Sequence, residues 1–293
     1  MTELARTAIA ALLHGANRFG LPSPEVPEAF RLPPGDPSAR LIDLASAMTT
    51  GAAIETSKVQ PGAMPLRSIF SRLRLYHDPP ISHVSRSQTQ VADWGQLKLT
   101  PAPPEEAALT TAHSALWNEF VDRASALATD AASHGRAEVY LESLYLLMAR
   151  YATALPAPFY GAEPDISLFD HNRIVAALSV CLAQLDQDAI DALSAGDWRT
   201  QNTDVALLVG GDISGVQRFI YTITSAHAAQ TLRGRSFYLQ LLTEAVLRYV
   251  LHRLGLPITN VIYSGGAHFF LLASAGSAGT LAEIQAEVTA KLL

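Results

Sequence analysis

Along the last third of the chain, apolar and polar positions repeat with several different periods, and each change of period predicts an element. Residues 205–209 are an unbroken apolar run closed by Gly210 and Gly211, which predicts a short buried strand. Val216, Phe219, Ile220 and Ile223 then fall at helical spacing, with Asp212 or Ser214 as the candidate cap. Leu239, Leu242, Val246 and Tyr249 mark a longer helix stopped by Gly255. Strands over residues 258–263 and 267–273 flank Ser264-Gly265-Gly266, which predicts a hairpin. Thr280 and Glu283 form a capping box ahead of the stripe Leu281, Ile284, Val288 and Leu292. The order β-α-α-β-β-α is that of a ferredoxin-like split βαβ unit with one strand still to come. The sequence stops at Leu293 before that strand, so a fragment or half of something larger is expected, with residues 205–209 left as an open sheet edge.

Upstream the pattern is helical. Residues 2–20 predict an alanine-rich helix with Ile9, Leu12 and Leu13 on its apolar face. Pro22, Pro24, Pro27, Pro33, Pro34 and Pro37 make residues 21–40 a loop. Helices follow over residues 105–127, 139–151 and 173–185, the second ended by Pro156 and Pro158. Residues 65–71 predict a short segment burying Leu66, Ile69 and Phe70, and residues 87–106 a polar loop or surface hairpin. His77 and His83 flank Pro79-Pro80 in a loop with nothing to fix their geometry. The polar, turn-rich stretch 186–201 places a domain boundary near Ala195-Gly196. The expected class is therefore α+β, with helical residues 1–195 followed by a smaller sheet domain over 204–293.

Composition narrows the possible chemistry. A net charge of -6 excludes a protein that grips nucleic acid by bulk charge, while leaving local basic patches open. Cys181 is the sole cysteine, which excludes an internal disulfide and a thiolate metal cluster. No apolar run has the length of a membrane span, and the short run over residues 7–13 is followed by His14 and Arg18, unlike a signal peptide. A cytoplasmic protein without membrane contact is the expectation.

Two glycine turns carry the candidate chemistry. The 210–215 turn offers backbone N–H groups, the Asp212 carboxylate and the Ser214 hydroxyl at a helix start, a place that favours phosphate. Ser264-Gly265-Gly266 sits at a hairpin tip where a nucleotide can approach the backbone closely. Neither is a P-loop, and on spacing alone ordinary turns remain the competing explanation. Asp170-His171 invites a metal reading, against which stands an N-cap role for Asp170.

Residues 211–221 (Gly-Asp-Ile-Ser-Gly-Val-Gln-Arg-Phe-Ile-Tyr), 232–239 (Leu-Arg-Gly-Arg-Ser-Phe-Tyr-Leu) and 263–269 (Tyr-Ser-Gly-Gly-Ala-His-Phe) together resemble the large, polymerase-cyclase subunit of type III CRISPR effector complexes, Csm-type. The resemblance implies that residues 204–293 are the first of two palm, or nucleotide-cyclase-like, domains. In the family the second palm carries a Gly-Gly-Asp-Asp hairpin that holds metal and makes cyclic oligoadenylates from ATP. Here the hairpin reads Gly265-Gly266-Ala267-His268, without acids. The nucleotide-binding candidates are accordingly Gly211, Asp212, Ser214, Gly215, Ser264, Gly265, Gly266 and His268, with no catalytic residue on this chain. Arg233 and Arg235 could reach phosphate but are expected instead to pair with carboxylates and hold their helix in place. ATP with magnesium or manganese is implied for the complete two-palm assembly. The implied partners are the crRNA-bearing subunits of the complex and a second palm, in the same or another chain, with target RNA reached indirectly, in antiviral defence.

The same resemblance makes residues 1–195 an HD-like domain. Where the family has a His-Asp pair, this chain has His14-Gly15. Residues 41–54 resemble the family's next helix, which ends in a glycine matched by Gly51, and where an alanine-aspartate pair is usual this chain has Ala45-Ser46. Glycine and serine supply no carboxylate, so His14 is a remnant and no metal site is expected. Three functions compete: half of a composite ATP site, a purely structural subunit of the same complex, and an HD-type metal-dependent single-stranded DNA nuclease using His14, Asp170 and His171. Gly15 and Ser46 weigh against the third.

Overall fold

The structure is a computed structural model that describes residues 2–18, 21–50, 65–67, 85–86, 99–100, 106–157, 165–195, 198–222 and 228–292. Ile69, Phe70, His77, His83, Gly51, Gly196 and Ile223, and most of the 87–106 stretch, lie outside these residues. The chain divides into two compact units, Thr2–Ser179 and Val180–Leu293. It is mostly helical with two small three-stranded antiparallel sheets, and among the described residues no helix is long and apolar enough to cross a membrane.

The first unit is built on helices that approach closely. Helix α1 (Thr2–Arg18) buries Ala5, Ala8, Ile9, Leu12 and Ala16, and α2 (Ser38–Thr50) buries Leu41, Ile42 and Ala45. Helices α3 (Glu106–His134) and α4 (Ala137–Ala152) extend past the predicted 105–127 and 139–151 at their ends. Their aromatic contacts include Trp117 to Phe120 at 4.7 Å and Phe120 to Tyr151 at 6.2 Å between ring centroids. The proline-rich stretch is tied to them rather than hanging free. The Trp117 indole donates to the Pro22 carbonyl at 2.8 Å, and Phe30, on a short 3-10 turn, packs on Tyr140 at 5.5 Å. Burial pushes the Tyr140 phenol up to about 12. Three two-residue strands, β1 (Leu66–Arg67), β2 (Ser85–Arg86) and β3 (Leu99–Thr100), form a small antiparallel ladder. Helix α5 (Leu168–Leu182) follows.

After α6 (Gln187–Ala195) comes the larger sheet, made of β4 (Ala206–Asp212), β5 (Val261–Gly265) and β6 (His268–Ser274) in the order β4-β6-β5. Helices α7 (Val216–Tyr221) and α8 (Ala228–Leu254) connect β4 to β5, and α9 (Ala278–Leu292) follows β6. Gly255, at φ 66°, ends α8 as predicted.

Several details differ from the sequence expectation, among them a helix over 187–195 within the predicted turn-rich stretch and α5 at 168–182 instead of 173–185. In the sheet unit four stand out. Strand β4 does not stop at Gly210 but runs through Gly211 to Asp212, because the Phe269 ring occupies the space beside Gly211. A Cβ there would lie 2.1 Å from Phe269 Cζ, so glycine is a packing requirement of the strand, not a turn. Second, β4 is not buried on both sides: it alternates, and Leu208 is 68% exposed. Third, residues 258–260 form a 3-10 turn before β5, with Asn260 donating to the Leu272 carbonyl at 2.9 Å. Fourth, Thr280 lies inside α9, and of the predicted stripe only Ile284 is fully buried. Helix α9 is instead pinned to α8 by polar contacts: Tyr249 and Arg253 both donate to Glu287, and Lys291 sits 4.8 Å over the Tyr249 ring. These bonds hold the Glu287 carboxyl below the usual carboxylate range.

Two predictions follow from this packing. Gly211→Ala is expected to destabilise the protein by about 1–3 kcal/mol through overpacking, and by clearly less in a Phe269→Leu background, as read by urea unfolding of the double-mutant cycle. Equal losses in both backgrounds would show that Phe269 is not what excludes a side chain. Cys181 is wholly buried beside Asn260, and burial pushes its thiol up from 9.0 to about 12. The unfolded thiol ionises first, so this group lowers stability as pH rises from about 9 to 12 and contributes no pH dependence below that window. Cys181 is therefore expected to resist a thiol reagent at pH 8 in the native protein and to react fully in urea.

Candidate functional site

The end of the sheet at the β5–β6 hairpin gathers every residue singled out from sequence for nucleotide binding. The hairpin turns on Gly266 (φ 62°) and Ala267 (φ 70°), two left-handed residues in the pattern of a type I′ turn. Ser264 and Gly265 belong to β5, paired with Phe269 and His268, so the turn is one step later than Ser264-Gly265-Gly266 suggests. On the other side of β6, Gly211 pairs with Phe269 and Asp212 with His268. The Ile213 N–H then donates to the Ala267 carbonyl at 3.0 Å, which joins the 213–215 turn to the hairpin tip. Asp212 Oδ1 lies 2.8 Å from His268 Nδ1, an exposed pair of small energetic worth that fixes both side chains.

Neither Asp212 nor Ser214 caps α7. The N-cap is Gly215 at φ 84°, with no side-chain cap bond, because its left-handed backbone makes the turn unaided. Helix α7 has six residues, so its dipole adds little, and what this end of the sheet offers an anion is exposed backbone N–H groups and the Ser214 and Ser264 hydroxyls. One carboxylate, Asp212, stands among them, already engaged with His268. Such a set fits a nucleotide held through backbone and hydroxyl groups and does not fit a metal held by this chain alone.

The sequence patterns missed the residues on the exposed face of the same sheet. Leu208, Tyr263 and Phe270 are 68%, 54% and 43% exposed. Gly210 lies under the Phe270 ring and Gly265 under the Tyr263 phenol, where added Cβ atoms would come within 3.1 and 2.9 Å. The alternation of β6, with Phe269, Leu271 and Ala273 buried and His268 and Phe270 exposed, was the available signal. Among the described residues Arg235 pairs with no carboxylate: it donates to the Phe219 carbonyl and lies 5.1 Å over the Phe219 ring, fastening α8 to α7.

The residues expected from the resemblance to mark an HD-like site take part in structural contacts. His14 Nε2 lies 3.7 Å from Asp43 Oδ1. Ala45 and Ser46 are fully buried in α2. Ser167, not Asp170, caps α5: the Asp170 N–H donates to Ser167 Oγ at 3.0 Å, and the Ser167 hydroxyl donates to Asp170 Oδ2 at 2.8 Å. Arg173 takes the other oxygen of Asp170 at 2.9 Å. Asp170 thus serves the first turn of the helix, three positions after the cap. Among the described residues no group of three His, Cys, Asp or Glu is placed to hold a metal ion.

Residues 205–293 match the family described as Csm1 subunit domain B. A Methanocaldococcus jannaschii protein, described as the CRISPR system single-strand-specific deoxyribonuclease Cas10/Csm1 of subtype III-A, is 36% identical over 163 residues, 47% of this chain and 20% of that protein. A Mycobacterium tuberculosis protein of the same description is 40% identical over 143 residues, 47% of this chain and 18% of that protein. The matched stretch spans only about a fifth of these relatives' length. In fold, the chain resembles one in a Csm1-Csm4 cassette in complex with pppApA, with TM-score 0.59 and 21% identity, over 96% of this chain and 41% of that one. A Csm1-Csm4 cassette in complex with one ATP gives TM-score 0.57 and 22% identity, over 97% and 41%. At that identity the structural likeness speaks for the fold alone. The resemblance to Csm-type large subunits carried by the three motifs is borne out in sequence and in fold.

Calorimetric titration with manganese or nickel is expected to give no stoichiometric site on this chain, since Gly15 and Ser46 bring no carboxylate and Asp170 is committed to Ser167 and Arg173. A tight site abolished by His14→Ala would contradict this.

Proposed function

We propose that this chain, a relative of the Csm-type large subunits of type III CRISPR effector complexes, supplies one wall of a composite ATP site used for cyclic oligoadenylate synthesis. In this reading residues 204–293 are a first palm domain of ferredoxin-like plan, and residues 1–195 an HD-like domain without nuclease chemistry. The observation that carries it is the meeting of the 213–215 turn and the hairpin tip through the Ile213 to Ala267 hydrogen bond, with the motif residues on both sides. The strand order β4-β6-β5 with a helical crossover supports the palm plan. The relatives' crystal forms with ATP and pppApA support a nucleotide as the ligand class.

The roles follow from the chemistry of each group. Ser214 Oγ donates to a phosphate oxygen, and Gly215 and Gly266 let phosphate reach the backbone without a side chain in the way. Asp212 repels phosphate and instead orients His268, which packs beside the base or fills the sheet face. Bound ATP brings magnesium or manganese, whose carboxylate ligands come from a second palm. The first partner is therefore that palm, and the wider assembly is the crRNA-bearing complex in the cytoplasm, with target RNA reached through it.

In a reconstituted two-palm, RNA-guided complex, Ser214→Ala is expected to slow oligoadenylate synthesis at limiting ATP by the equivalent of about 1 kcal/mol or more, roughly fivefold. Undiminished synthesis would remove Ser214 from the site and favour a structural role for the sheet. Synthesis by residues 1–293 alone would overturn the two-palm account.

A further inference from the structure

Gly15 stands where an HD pair would place its aspartate, and α1 meets α5 at that point. A Cβ added at Gly15 would lie 2.2 Å from Asn172 Oδ1 and 3.1 Å from its Cγ. A contact of 2.2 Å is far inside van der Waals distance, so even alanine cannot enter without moving Asn172. The atoms met are the end of the Asn172 side chain, which would have to swing aside within a packed surround. Asn172 is 0% exposed, on the second turn of a helix whose neighbours Val175, Ala176 and Ala177 are equally buried. Its carboxamide makes no hydrogen bond through either Nδ2 or Oδ1 among the described residues. An asparagine buried without partners among the described residues carries a desolvation cost there that an alanine or a leucine would avoid. Among the described residues, then, hydrogen bonding does not explain its place. It is explained by volume, since its side chain fills the room left by the missing side chain at position 15.

We propose that Asn172 plugs the position-15 site, so that loss of the acid is fixed by packing across α1 and α5 and a carboxylate returned at position 15 alone does not restore a metal ligand. This rests on the HD-like reading of residues 1–195 and is independent of the nucleotide site at the sheet. The pair behaves as one unit: glycine at 15 is required while asparagine stands at 172, and a small residue at 172 reopens the position.

The test compares the full chain with Gly15→Asp, Asn172→Ala and the double variant, by thermal unfolding and by manganese titration. Gly15→Asp is expected to lower Tm by about 5 °C or more and to gain no stoichiometric manganese site. Asn172→Ala is expected to stay within about 2 °C of the parent, and in its background most of the Gly15→Asp loss is recovered. Should Gly15→Asp fail to fold, Gly15→Ala reports the same clash with a smaller loss, again relieved by Asn172→Ala. Wild-type stability of Gly15→Asp, a manganese site in that single variant, or no relief from Asn172→Ala would each overturn the proposal.

Discussion

A phenyl ring lying on a stretch of backbone that has no Cβ is the contact on which the sheet depends. Phe269 covers Gly211 from the neighbouring strand, and any side chain at 211 would drive the two strands apart. The contact fixes the face each residue takes. With Phe269 turned inward, Leu271 and Ala273 follow it into the core, and His268 and Phe270 are left on the outside. A slip of one residue would bury His268 and expose Phe269, so apolar burial and glycine placement enforce the same register. The outer face then repeats the device with Phe270 over Gly210 and Tyr263 over Gly265.

The helical unit uses small residues in the same way. Ala5, Ala8, Ala16 and Gly15 let α1 come close to its neighbours, and the aromatic set Trp117, Phe120 and Tyr151 fills the wider space around α3 and α4. Polar groups that elsewhere could gather around a metal are spent on local order. Ser167 and Asp170 start a helix, Arg173 steadies them, and His14 faces Asp43.

Helices with long, regular stripes were legible from sequence, as α3 and α4 show, and so was the glycine that ends α8. The strands were legible in existence and order but not in extent. Gly210 and Gly211 resemble a turn signal, and only the ring of Phe269, 58 positions further on (269 - 211), shows why they belong in a strand. The cap of α5 was misassigned for a related reason. Ser167 and Asp170 are both good caps, and the choice depends on which residue leaves the helix, which local sequence does not settle. The candidate site residues stand out in sequence through motif resemblance, whereas Leu208, Tyr263 and Phe270 do not, because an apolar residue on an exposed sheet face reads in sequence like one in a core.

The hydrogen bond from Ile213 to Ala267 makes one object of two loops that lie more than fifty positions apart. Ala267 is buried at the very tip of its hairpin, so the tip is a clasp closed on the neighbouring turn instead of a free end. Heredity then acts on the pair. A longer hairpin or a differently shaped 213–215 turn would break the clasp unless both changed together, and drift at either loop is answerable to the other.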